Sequence, residues 1–134
     1  PRQLPEGARV TRFAPSPTGY LHIGGLFGAL TDVMTSKATK GVSFLRIEDT
    51  DGKRQIKDGV KNIVDAIKTI GLDYNEGVVS ETEQKGDYGP YIQSQRKEIY
   101  DTFAKYMIEN DMAYPCFCNE DELKELTKTI MVSL

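Results

Sequence analysis

The chain has little with which to build a disulfide scaffold, a membrane anchor or a plainly electrostatic surface. Its cysteines are Cys116 and Cys118 alone, and a C-x-C pair in a cytosolic chain points to reduced thiols or half a metal site rather than a disulfide. No run approaches the roughly eighteen apolar residues that a membrane-spanning helix needs, and no basic-then-apolar segment opens the chain. Neither a span nor a signal peptide is therefore expected, and the location reads as cytoplasmic. A basic excess is also missing: the formal charge is -3, which argues against a bare electrostatic nucleic-acid binder while leaving room for a local basic patch. Neither G-x-G-x-x-G nor G-x-x-x-x-G-K-[ST] occurs, which lowers the odds of an ordinary dehydrogenase or P-loop nucleotidase. Internal repeats and low-complexity segments are absent.

What is present is ordinary soluble-globular composition. In 134 residues, 39% are hydrophobic and 28% charged, enough for one domain with a core. The chain opens on Pro1 rather than Met and stops shortly after a helical pattern has begun, so it reads as a fragment. Val10, Arg12 and Phe13 predict a short strand that Pro15 and Pro17 must end, because proline cannot donate to a sheet ladder. From Ile23, the residues Leu26, Ala29, Leu30, Val33 and Met34 recur at helical spacing, with Gly41 placed as a terminator. Val42, Phe44, Leu45 and Ile47 predict a second, buried strand. The first forty-seven residues thus read as β-α-β. Val60, Ile63, Val64, Ile67 and Ile70 trace a second helix that Gly71 stops. Residues 73–90 carry acids and glycines without apolar periodicity and are expected to form an irregular excursion. Ser94 is placed to cap a helix with Ile99, Phe103, Tyr106 and Met107 on its inner face, and Asn119 with Glu122 resembles a capping pair for another.

The stretch Arg12-Phe-Ala-Pro-Ser-Pro-Thr-Gly-Tyr-Leu-His22-Ile-Gly-Gly25 holds the only histidine of the chain between turn residues. In an open α/β sheet, ligands sit beyond the carboxyl ends of the strands, where such a strand-to-helix loop passes. Pro15 and Pro17 stiffen the loop and Gly19 supplies a turn. Gly24 and Gly25 clear the first helical turn, so that a flat ring or a phosphate could approach free backbone N–H groups and the positive end of the helix dipole. His22 then stands at the mouth of a phosphate site as a hydrogen-bond donor. Proline- and glycine-rich loops before helices are also common without any ligand, and the spacing alone leaves a structural His22 open.

Together with Phe44-Leu-Arg-Ile-Glu-Asp-Thr-Asp51, Gly-Pro-Tyr-Ile-Gln-Ser-Gln-Arg96 and Ala-Tyr-Pro-Cys116, this run resembles the N-terminal catalytic region of the glutamyl-tRNA synthetase family, class I aminoacyl-tRNA synthetases. His22-Ile-Gly-Gly25 is similar to the family's HIGH signature. The resemblance spans residues 9 to 125 and implies an α/β, Rossmann-like nucleotide-binding fold with a parallel sheet. It places the N-terminal half of that domain at 1–95 and the start of a helical tRNA acceptor-binding insertion at 96–134. The glutaminyl relatives usually show Glu-Pro-Asn-Gly in place of Ala14-Pro-Ser-Pro-Thr-Gly19. The alternatives are a glutamyl-queuosine tRNA(Asp) synthetase-like paralogue and a fragment that binds nucleotide or glutamate without ligating anything.

By this resemblance, Arg12 would bind the side-chain carboxylate of L-glutamate, a planar group that the guanidinium fork suits; the alternative is a surface arginine on an edge strand. Ala14 and Ser16 would line the amino-acid pocket, and Glu48 would receive the α-ammonium. Thr18, His22, Gly24 and Gly25 would hold ATP, supplied with Mg²⁺ as the substrate complex, with His22 in the catalytic role of steadying charge that grows on the phosphates. Asp49 and Asp51 could be metal ligands or capping groups, and Arg46 is expected to be a local ion-pair partner. The implied reaction forms glutamyl-adenylate and then transfers glutamate to the terminal ribose of tRNA(Glu), in an intact enzyme expected to be monomeric. Two departures stand out. Two places beyond the glycine pair, where family members often carry an arginine, this chain has Phe27 followed by Gly28, and no KMSKS occurs, so this chain by itself is not expected to run the full reaction. Cys116 and Cys118 resemble half of a zinc site with no later Cys or His to complete it, so zinc is not expected. The tail Thr127–Leu134 has no resemblance that can be placed.

Overall fold

The structure is a computed structural model that describes residues 2–132; Ser133 and Leu134, the end of the unplaced tail, lie outside the described residues. The chain divides into two units that meet in sequence between Lys97 and Glu98.

In the first unit, strand β1 (Val10–Phe13) leads through a loop to helix α1 (Ile23–Ala38), strand β2 (Val42–Leu45), helix α2 (Gly59–Thr69), and the short strands β3 (Glu76–Val78) and β4 (Gln84–Lys85). They form a four-stranded sheet in the order β1-β2-β3-β4. The first three strands run parallel, with Val10 opposite Val42 and Phe44 opposite Glu76, and β4 returns antiparallel. The parallel part is as expected; the antiparallel fourth strand was not anticipated. Two β-α-β crossovers in the same direction are right-handed by rule and so put α1 and α2 on one face. Thr11 confirms the side, donating its hydroxyl to the carbonyl of Asp32 on α1 at 2.8 Å.

Burial follows this one-sided arrangement. Along β2, Ser43 and Leu45 are buried whereas Val42 and Phe44 are half-buried. The core joins Ala29 and Val33 of α1 to Leu45, Ile47 and the α2 face of Ile63, Val64 and Ile67. Full burial of such a side chain contributes about 1.5–3 kcal/mol.

Residues 73–90 are not the irregular excursion that their composition suggested, since they supply β3 and β4. A three-residue strand is too short to show alternation. Its central residue, Gly77, lies at φ +121°, where an added Cβ would come 2.3 Å from the carbonyl oxygen of Leu45. Only glycine combines that dihedral with such close backbone approach. Arg2 anchors the segment before β1 to this edge: its guanidinium pairs with Glu76 and stacks 3.8 Å from the centroid of Tyr88.

Beyond β4, the chain runs beside the end of β2 and forms a 3-10 turn at Gln93–Arg96 before helix α3 (Lys97–Glu109). Ser94 lies inside that turn rather than capping a helix, because its hydroxyl is engaged by Asp49. The second unit carries α3 and helix α4 (Glu120–Val132). Asn119 and Glu122 form the expected reciprocal cap: Asn119 Oδ1 accepts from the amides of Asp121 and Glu122, and Glu122 accepts from the Asn119 amide. No described residue from 98 to 128 is buried, so the face of Phe103, Tyr106 and Met107 is an exposed one and not an inner one. No helix among the described residues is long and apolar enough to cross a membrane.

Candidate nucleotide and amino-acid site

The parallel strands β1, β2 and β3 end on the same side of the sheet, and the loop 14–22 crosses that side from β1 to α1. Two backbone bonds seat it. The amide of Glu48 donates to the carbonyl of Pro15 at 3.0 Å, and the amide of Ile56 donates to the carbonyl of buried Pro17 at 3.0 Å. The loop is thereby clamped between the end of β2 and the approach to α2. Beneath it opens a cleft of about 290 Å³ lined in part by Ser16, Thr18, His22 and Gly25.

His22 is the N-cap of α1. Its backbone is extended, and its Nδ1 accepts from the amide of Gly24 at 3.1 Å. That bond puts the proton of a neutral imidazole on Nε2, which can then donate. Gly24 leaves room for the ring, since a Cβ there would stand 3.0 Å from the Cε1 of His22 and push the imidazole aside by a few tenths of an ångström. The amide of Gly24 is thus spent on His22 and is not the free donor anticipated for a ligand. No acidic residue stands in the first turn of α1, so nothing on the helix offsets the positive end of its dipole.

Glu48 sits just past β2 with its amide on Pro15, and its Oε1 accepts from Arg46 Nη2 at 2.7 Å. Arg46 is therefore an ion-pair partner, with its Nε buried and without a hydrogen-bond partner. Arg12 is exposed on β1, opposite Phe44 in register and on the alternate position to Thr11, and is not among the cleft-lining residues. Its charge is felt by Asp32, whose carboxyl is raised by burial and drawn partly back by Arg12. Ala14 is half-buried between β1 and the cleft. The structure therefore gathers Ser16, Thr18, His22 and Gly25 around one cleft and sets Glu48 against the same loop. Arg12, Ala14, Gly24 and Glu48 lie outside the cleft lining.

The two aspartates do not converge. Asp49 accepts from the Ser94 amide at 2.8 Å and the Ser94 hydroxyl at 2.5 Å, while Asp51 pairs with Arg54 at 2.6 Å. That hydrogen bond and the Arg54 charge lower the Asp51 pKa. The bond of Ser94 to Asp49 was missed because its partner is distant in sequence; the only local signal was a run of polar residues after Ile92. In the second unit, Cys116 and Cys118 are both exposed free thiols, and a hydrogen bond to Cys116 pushes the Cys118 thiol up. Among the described residues, no three His, Cys, Asp or Glu side chains gather as a metal site, and two thiols make only half of a tetrahedral zinc site. A larger open hollow of about 780 Å³ lies beside Cys118, but Asp121, Glu122 and Glu125 line it, which suits no phosphate.

Three comparisons bear on this geometry. Residues 9–133 match the family described as tRNA synthetases class I (E and Q), catalytic domain. The chain is 50% identical to the glutamate–tRNA ligase of Clostridium beijerinckii over 93% of its own length and 23% of that protein. It is 49% identical to the glutamate–tRNA ligase of Acetivibrio thermocellus over 95% of its own length and 23% of that protein. A crystal structure of glutamate-tRNA synthetase from Elizabethkingia anophelis superimposes with a TM-score of 0.78 at 36% identity, over 94% of this chain and 25% of that one. The chain thus spans about a quarter of the length of the relatives it matches.

Proposed function

The chain belongs to the class I tRNA synthetase (E and Q) catalytic-domain family, and on that premise we propose that it is the N-terminal part of a glutamate–tRNA ligase, built to seat ATP and L-glutamate. The observation that carries this reading is His22. The ring is held by its own helix with Nε2–H available, above a helix start that has no acid in its first turn, and in one cleft with Ser16 and Thr18.

In this reading, the phosphates of Mg²⁺-bound ATP lie against the α1 N-terminus, with Thr18, His22 and Gly25 beside them. His22 donates Nε2–H to a phosphate oxygen as negative charge builds there. Gly24 contributes indirectly, by fixing the imidazole. Ser16 lines the amino-acid side of the cleft, and Ala14, between the lining residues Phe13 and Pro15, supports it from outside the lining. Glu48, oriented by Arg46, receives the α-ammonium of glutamate, and Arg12, exposed on β1 outside the cleft lining, takes the side-chain carboxylate. The substrate α-carboxylate attacks the α-phosphorus and pyrophosphate leaves; the terminal ribose hydroxyl of tRNA(Glu) then attacks the acyl carbon of the glutamyl-adenylate and AMP leaves, in the cytoplasm. Positioning supplies most of what these residues can contribute. The second unit is the start of the segment that receives the tRNA acceptor end, and the remaining steps belong to the parent enzyme.

Calorimetric titration with a non-hydrolysable glutamyl-adenylate analogue tests the reading. The glutamyl form is expected to bind more tightly than the glutaminyl form, and Glu48→Ala to weaken it about 10- to 100-fold, the loss of a charge-assisted hydrogen bond. Equal binding of the two analogues, or an unaltered Glu48→Ala variant, would refute it.

A further inference from the structure

We propose that Ser94, acting through Asp49, is a positioning residue for the α-ammonium acceptor Glu48, an inference that rests on the reading of Glu48 given above. Past β2, the chain is held from both sides in turn: Arg46 and Glu48 donate their amides to Phe13 and Pro15 at 3.0 Å each, whereas Ile47 donates to Tyr91 and accepts from Gln93 at 2.9 Å each. Residues 91–93 thus form a parallel rung against Ile47.

One step later the strand bends away and backbone pairing ends, and a side chain takes over. Both oxygens of Asp49 are used by one residue, Oδ1 by the Ser94 amide at 2.8 Å and Oδ2 by the Ser94 hydroxyl at 2.5 Å. The Asp49 carbonyl accepts from Gln55 Nε2 at 2.5 Å. A carboxylate held by two donors of the same residue is fixed in its plane as well as its position, and charge-assisted bonds of this kind are among the stronger ones. Both oxygens being committed also disfavours Asp49 as a metal ligand.

Glu48 is bonded directly to this clamp, and its own restraints are its amide on Pro15 and the Arg46 bond to one carboxylate oxygen. Its carboxylate is partly exposed and held at Oε1 by Arg46. Binding groups must be kept within about 0.5 Å of their working geometry, and it is the surrounding hydrogen bonds that do so. Without the Ser94–Asp49 clamp, the turn after Glu48 would keep the Gln55 contact, the Asp51–Arg54 pair and the backbone bonds from Arg54 to Asp51 and from Ile56 to Pro17, none of which fixes the Asp49 carboxylate. The Gly-Pro-Tyr-Ile-Gln-Ser-Gln-Arg96 stretch therefore acts as the outer wall that holds the acceptor in place.

The test compares a glutamyl-adenylate analogue with its des-amino counterpart, which carries a glutaryl group and no α-ammonium, on the whole chain by calorimetry. The unmodified protein prefers the amino form, and Glu48→Gln removes most of that preference. Ser94→Ala, a change at an exposed position, is expected to cut the preference about tenfold, the lower end of the scale of one hydrogen bond to a charged group, while leaving des-amino binding by the folded protein unchanged. Ser94→Thr, which keeps the hydroxyl, restores it. Equal weakening of both analogues by Ser94→Ala, or no effect on either, would overturn the proposal while leaving the reading of Glu48 intact. A folded, unmodified chain that shows no preference for the amino form would remove that reading and the inference with it.

Discussion

Helices α2 and α3 carry the same kind of amphipathic pattern over 11 and 13 residues, yet α2 buries Ile63, Val64 and Ile67 whereas α3 buries nothing. The difference is the surface opposite. α2 lies against a sheet whose facing side chains, Leu45 and Val78, complete a core, while the apolar face of α3 remains open, with Phe103 63% exposed. Periodicity therefore reports which side of a helix is able to bury, and a partner surface decides whether it does. The same contrast separates the two units: every motif tied to the site lies in the first, where backbone bonds from distant segments hold it.

Substitutions can break this contrast or sharpen it. The largest effects belong in the first unit. Ile63→Ala removes a fully buried side chain and should destabilise the unit by about 2–5 kcal/mol, read as a lowered urea midpoint. Gly77→Ala should cost at least about 1–3 kcal/mol, because its Cβ meets the β2 backbone at a dihedral that alanine resists. A midpoint unchanged by either would mean that the sheet and α2 do not form one core.

A smaller effect is expected at the cap of α4. Asn119→Ala removes an acceptor for two amides and should cost about 0.5–2 kcal/mol of helix stability, seen as faster amide exchange in the first turn of α4 only. Spread of that change into α2 would show that the two units are coupled after all.

The edge of the sheet adds a pH dependence. Burial alone would raise the Glu76 carboxyl, but the hydrogen bonds from Arg2 and Tyr91 and the Arg2 charge outweigh it, and the net shift is downward from 4.5. A lowered folded-state pKa means that the unfolded chain takes up the proton first. The stabilisation from Glu76 is therefore present above about pH 4.5 and lost as the pH falls through the lower folded value. Tyr91, pushed up to about 12 by burial and by its bond to Glu76, adds the opposite limb: stability declines as the pH rises from 10 towards that value. Glu76→Gln should flatten the acid limb of a midpoint-against-pH curve and leave stability near neutrality only modestly lower. An acid limb identical to that of the unmodified chain would assign it to other carboxylates. The smallest effect is expected from Phe103→Ala, at most about 0.5 kcal/mol for an exposed residue. A loss comparable to Ile63→Ala would erase the distinction between α2 and α3.

Much of the first unit was legible from residue order. β1 ends where Pro15 and Pro17 prevent a ladder, α1 starts at a loop-to-periodic transition after His22, and α2 follows an unbroken apolar face up to Gly71, which takes φ +72°. Asn119 and Glu122 announced the α4 cap at a fixed spacing. All of these are decided within a few residues by torsional preference, periodicity and capping, and a sequence displays them directly. The His22, Ser16 and Thr18 portion of the candidate site was legible for the same reason, since one loop carries it. What only the tertiary structure decided involves partners far apart in the chain: β3, whose glycine is explained by the β2 backbone; the burial of α2 but not α3; and Asp49, whose partner Ser94 lies 45 residues away. Local preferences act on neighbours irrespective of fold, whereas a hydrogen bond or a buried face across such distances exists only once the sheet has brought both sides together.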